Sequence, residues 1–174
     1  NKDPVELRRE WLGDKHPRHR AALDLAVAKS GYGQRPLAAG RAWGVAVHES
    51  FGSVVAFIAE VSLLEGAPVV HAVTAGVHCN LVINPRTVEA QVQGAALMGL
   101  SMCLPGAQIT LKDGVVEQSN FGDFAVPRIT DVGVWAPGVA FRQRRDGTLS
   151  LGGGGWADHD VTLDLTSLGD KEAD

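Results

Sequence analysis

Residues 42–64 read AWGVAVHESFGSVVAFIAEVSLL. After Phe51-Gly52 the pattern has a period of two: Val55, Phe57, Ala59, Val61 and Leu63 share one face, and Ala56, Ile58, Glu60 and Ser62 the other. The segment therefore predicts an antiparallel strand pair joined by a tight turn, with one face buried. Glu60 then reads as a charge on the solvent side of a half-covered sheet. Toward the C-terminus, EGAP (65–68) is a second turn and VVHAVTAGVH (69–78) a third strand. Farther on, QITLKDGVVEQ (108–118) is a hairpin with Asp113-Gly114 at its tip.

Toward the N-terminus the period changes. Asp3-Pro4 is an N-cap and first-turn pair, and Ala22, Leu25, Ala26 and Lys29 recur at helical spacing. HPRH (16–19) divides this region into two helices, because Pro17 disfavours helical geometry at His16. GYGQRPLAAG (31–40) is a loop.

The segment NPRTVEAQVQGAALMGLSMCL (84–104) opens on Asn-Pro, carries Gln91 and Gln93 early, and is almost free of polarity from 94 to 100. A helix apolar on every side belongs in a core, so this segment reads as a buried central helix. Gly94, Ala95, Ala96 and Gly99 would let a backbone or a flat ligand approach closely, and the two amides both donate and accept. The helix start also suits an anion. The competing reading is a core helix whose glutamines face the sheet edge. Together these elements predict an α+β fold: a small antiparallel sheet packed on the central helix, an N-terminal helical pair, and an irregular C-terminal tail. The tail, 141–174, contains four consecutive glycines at 152–155 and an acidic end, and reads as a flexible or divergent segment after a domain spanning 1–140.

The totals exclude several classes of function. The 174 residues are 45% hydrophobic and 21% charged, ordinary for a globular domain. A formal charge of −4, with scattered basic residues, supplies no broad cationic face, so nucleic acid is not an expected partner. The longest apolar run, 94–105, falls well short of the roughly 20 residues of a membrane span. Cys79 and Cys103 match no zinc spacing and read as buried thiols. No targeting segment is visible, and the compartment, cytoplasmic or periplasmic, is left open.

Candidate reactive residues are sparse. His16 and His19 lack a third ligand at fixed spacing, and His78-Cys79 project to opposite sides of a strand end. HES (48–50) cannot form a triad within itself, and no GxSxG elbow occurs. The glycines at 152–155 lack the Lys-Ser/Thr of a phosphate loop.

The segments GVAVHESFGS, AEVSL, NPRTVEAQVQGAALMGLS, ITLKDGVVEQSNF and the Asp-Phe before Arg128 occur in an order that resembles the C-terminal part of the molybdenum-binding subunit of the xanthine and aldehyde oxidase family. The nearest branch resembles the isoquinoline 1-oxidoreductase beta subunits, and the likeness runs from about Asp3 to Arg128. It implies that 1–140 is the C-terminal portion of a molybdopterin-binding domain in a molybdenum hydroxylase acting on N-heterocycles or aldehydes. It also implies molybdopterin in its cytosine dinucleotide form, the remainder of the molybdenum subunit, and a small [2Fe-2S] subunit as partners. The glutamine at Gln91 would hydrogen-bond the pterin. The chain departs from the family pattern at His78 and Asn80, where relatives commonly have Asp and Gly. It also departs at the C-terminal GxGExG-like motif that carries the family's catalytic Glu. The nearest string, GVWAPG (133–138), has Trp135 and Ala136 there, and neither side chain is a general base. No catalytic residue is therefore assigned, and the expectation is a fragment that is inactive and retains no cofactor alone. The alternative is a non-catalytic relative acting as an interaction module.

Overall fold

A computed structural model of the chain describes residues 2–103, 107–126, 138–144 and 156–159, the last two by their backbone. Helix α1 (Pro4–Leu12) starts where Asp3 accepts hydrogen bonds from the Val5 and Glu6 amides at 2.9 and 3.0 Å. Helix α2 (Pro17–Ser30) follows the break at His16 and ends on Gly31, whose φ of +71° gives a left-handed cap. The loop is tied back by Tyr32, whose hydroxyl donates to Asp3 Oδ2 at 2.8 Å. The Glu6 amide leads the interactions that hold the Asp3 carboxyl below its ordinary range, while burial and the Asp3 carboxylate push the Tyr32 phenol up to about 12.

Strands β1 (Arg41–Ser50), β2 (Ser53–Leu64) and β3 (Ala67–His78) pair antiparallel in sequence order, as expected. Their hairpin turns are Phe51-Gly52 and Glu65-Gly66, in which all four residues have positive φ, the geometry that suits the right-handed twist of the strands. Asp113-Gly114 repeats it between β4 (Leu111–Lys112) and β5 (Val115–Val116). The tail contributes strands β6 (Gly138–Arg144) and β7 (Trp156–His159): β6 runs parallel to β3 from Thr74↔Gly138 to Val77↔Phe141, and β7 pairs antiparallel with β6. The expected irregular tail therefore includes two strands, because β3 has a free edge whose amides and carbonyls require partners. Strand β6 runs across residue 140, where the sequence suggested a boundary.

The α+β class and the small antiparallel sheet agree with the sequence. The packing differs in two respects. The fully buried face of β2 is Val54, Ala56, Ile58 and Glu60, against α1 and α2, where Val5, Ala22, Leu23 and Ala26 are no more than 1% exposed. Each large side chain in this layer contributes about 1.5–3 kcal/mol on burial. Gly76 makes the close approach possible, since a Cβ there would lie 2.1 Å from the Ala22 carbonyl oxygen. The opposite face, with Val55, Phe57, Ala75 and Val77, is covered by α3 (Pro85–Ser101) through Val88 and Val92. Helix α3 is thus not the buried centre: only Glu89, Val92 and Ser101 of its residues are buried. An all-apolar helix is enclosed only if a further layer lies over it, and the described residues supply none.

Glu60 also differs from expectation. It is buried among Val54, Ala56 and Ile58, with Arg41 Nη1 2.6 Å from Oε1 and Arg35 bonded to Oε2. Burial alone would raise its pKa; the Arg41 and Arg35 hydrogen bonds and charges outweigh it and hold the carboxyl below its ordinary range. Arg35 in turn lies 4.9 Å over the Trp43 ring. The sequence reading missed this because Arg35 and Arg41 lie 25 and 19 residues from Glu60.

Candidate functional site

The site is built on α3 and the loop that enters it. Asn84 caps the helix, its Oδ1 accepting from the Thr87 amide at 3.4 Å, and Pro85 fills the first turn, where an N–H would have no helical partner. Upstream, Asn80 has φ +62°. Asn adopts the left-handed region more readily than most residues, so it holds this turn into the helix at little backbone cost.

Successive turns of α3 separate two stripes. Val88, Glu89, Val92 and Gln93 are buried or half-buried over the sheet. Thr87, Gln91, Gly94, Ala95, Met98 and Met102 are exposed on the other side. Gln91 and Glu89 therefore face opposite ways, and Gln91 is not turned to the sheet. A Cβ built at Gly94 or Gly99 meets nothing within 4 Å, so among the described residues the small residues border open space. The exposed stripe presents one amide, capable of donating and accepting, followed by small residues and two flexible thioethers.

The remaining candidates do not converge on this stripe. His16 and His19 meet edge to face with ring centroids 5.4 Å apart, and His19 Nε2 lies 3.1 Å from Glu49 Oε2. His78 is buried beside Arg18, whose Nε is 3.4 Å from Nδ1. Among the described residues no group of three or more His, Cys, Asp or Glu could hold a metal ion, and no helix is long and apolar enough to cross a membrane. Cys79 is half-buried, its thiol pKa raised by burial, whereas Cys103 is exposed, contrary to the buried thiol expected there. Exposure at 103 follows from the one-sided covering of α3. Trp135, Ala136 and the glycines at 152–155 lie outside the described residues.

Comparison with known proteins bears on this surface. The molybdopterin cofactor-binding domain family matches residues 15–133, which include strands β1 to β3, the entering loop and all of α3. The chain is also similar to the isoquinoline 1-oxidoreductase subunit beta of Brevundimonas diminuta, with 31% identity over 136 residues. That alignment covers 76% of this chain and 17% of the relative, so the chain spans about a sixth of the length of the curated relative it matches.

Proposed function

This chain belongs to the molybdopterin cofactor-binding domain family, and from that premise we propose that it is a C-terminal portion of a molybdenum hydroxylase large subunit. The observation that carries the proposal is the position of Gln91, the amide of an exposed stripe bordered by open space at Gly94. In this reading the Gln91 side chain hydrogen-bonds the pterin of molybdopterin in its cytosine dinucleotide form, and Gly94 and Ala95 let the ligand lie against the helix backbone. The bound cofactor supplies the redox metal for placing a water-derived oxygen on an electron-poor carbon of an N-heterocycle or aldehyde. A small [2Fe-2S] subunit would be the electron-accepting partner. The contribution of this chain is to orient the pterin and exclude water on one side. It offers no general base on the Gln91 stripe, since Glu89 is turned to the sheet. One amide and one helix face cannot fix a dinucleotide cofactor, so the chain alone is inactive and carries no molybdenum; the remainder of the large subunit completes the cradle.

Two measurements test this. The chain, purified from a host that makes the cofactor, should carry far less than one molybdenum per chain and hydroxylate no heterocycle; stoichiometric metal refutes the inactive clause. In a large subunit carrying this segment, Gln91→Ala should lower turnover and molybdenum content while the melting temperature moves by less than about 2 °C, because an exposed amide is lost. A melting temperature several degrees lower with unchanged turnover per molybdenum refutes the cofactor role.

A second reading, a non-catalytic module that docks on a partner subunit, is favoured by the apolar side chains left exposed on α3 and the β4–β5 hairpin. Met98, Met102, Leu111 and Val115 are each 59–69% exposed. A monodisperse monomer that binds no hydrophobic dye would refute it.

A further inference from the structure

We propose that Glu89 is a socket for a cationic side chain, an arginine or lysine supplied by the part of the large subunit outside this chain; the proposal rests on the functional reading above. Glu89 is 5% exposed on the sheet-facing stripe of α3, and its Oε1 has no hydrogen-bond partner among the described residues. The hydrophobic side chains packed together on that side are Val55, Phe57, Ala75, Val77, Cys79, Val88 and Val92, and His48 stands cross-strand from Val55 on the same face. One turn before Glu89, Arg86 is exposed; one turn after, Gln93 is half-buried, and neither reaches Oε1.

The opposite face of the same sheet shows how this protein accommodates a buried carboxylate. Glu60, 2% exposed, receives two guanidinium groups, from Arg35 and Arg41. A buried acceptor left unmade is costly, and a buried charge more so unless paired. Glu89 has the burial of Glu60 without its arginines. In this proposal the cation comes from the part of the large subunit outside this chain, since the alignment covers only 17% of the relative. Glu89 faces away from Gln91, so the socket orders α3 against its neighbouring layer and acts on the cofactor only by positioning the helix.

The test compares Glu89→Leu and Glu89→Gln in two contexts. In the 174-residue chain, Glu89→Leu should melt at the wild-type temperature or about 2–8 °C higher, since a buried carboxyl oxygen without a described partner is replaced by apolar volume. A fall of several degrees overturns the proposal, because Glu89 would then have its partner within this chain. The second context is the Brevundimonas diminuta subunit carrying this chain in place of its matching segment. There both substitutions should lower the melting temperature by 5 °C or more, and Glu89→Leu should speed proteolysis within α3. Wild-type melting of the Glu89→Gln chimaera overturns a cationic partner, because an amide satisfies a neutral donor equally well. Molybdenum content of the unsubstituted chimaera reports separately on the functional reading. Its absence refutes that reading, while the paired melting shifts still decide the role of Glu89.

Discussion

Gly76→Ala places a methyl group where α2 crosses β3. The added Cβ would lie 2.1 Å from the Ala22 carbonyl oxygen, 2.9 Å from the Ala26 nitrogen and 3.2 Å from the Ala22 carbonyl carbon. All three are backbone atoms, so no rotamer change relieves the contact. With about 3.4 Å as the closest comfortable approach, the helix must retreat by about 1.3 Å at Ala22. That shift unpacks Ala22, Leu23 and Ala26 from Val54, Ala56 and Ile58. Overpacking of this kind costs about 1–3 kcal/mol, and the backbone contact puts Gly76→Ala at about 3 kcal/mol. For a chain of this size the melting temperature should fall by about 6–12 °C. Gly44→Ala is the matched control in β1, because its Cβ would meet Ala59 atoms at an ordinary 3.9 Å, and it should melt within about 3 °C of wild type. Thermal unfolding followed by circular dichroism checks both. Gly76→Ala melting within 2 °C of wild type would refute the reasoning that backbone contact at this crossing sets the layer spacing.

Gly94→Ala should raise the melting temperature of the chain by about 2–4 °C, since its Cβ meets only open space and Ala is the better helix former by about 1 kcal/mol; in a cofactor-loading large subunit it should lower molybdenum content. Glu60→Gln should lose about 1–2 kcal/mol at neutral pH, a modest figure because Arg35 and Arg41 both reach water. The Glu60 carboxyl titrates below its ordinary 4.5 in the folded chain, so its contribution is complete above that pH and disappears as pH falls through the depressed value. Wild-type and Glu60→Gln melting curves should therefore converge in acid, and a constant gap down to pH 2 would contradict the ion-pair account. Tyr32 titrates at about 12 when folded against an ordinary 10, so wild-type stability should decline from pH 10 to 12 as the unfolded phenol ionises first; Tyr32→Phe should remove that part of the decline. The family match ends at residue 133, just before a glycine-rich and acidic stretch, so translating the same DNA in its other two frames from the codon for Asp131 should reveal a GxGExG-like string. Absence from both frames refutes a change of reading frame.

What the sequence determined by itself is what depends on neighbours along the chain. The Asp3-Pro4 and Asn84-Pro85 starts, the break before Pro17, the X-Gly turns and the period-two strands each follow from a few consecutive residues, and the structure contains them at those positions. Gln91 stands out in the sequence as an amide near the front of an apolar helix, and the structure places it on the exposed side. The layer against each sheet face was not legible, because both faces of β2 carry apolar side chains and alternation alone ranks neither above the other. Tertiary structure assigned the deeper face to Val54, Ala56 and Ile58, since Gly76 admits α2 to backbone contact there, and left α3 half-covered. It also separated two glutamates of the same residue type. Glu60 gained two arginines from loop and strand positions distant in sequence, whereas Glu89 was buried without a partner for Oε1 among the described residues. Burial and charge pairing are properties of groups brought together across the fold, and no local pattern encodes them.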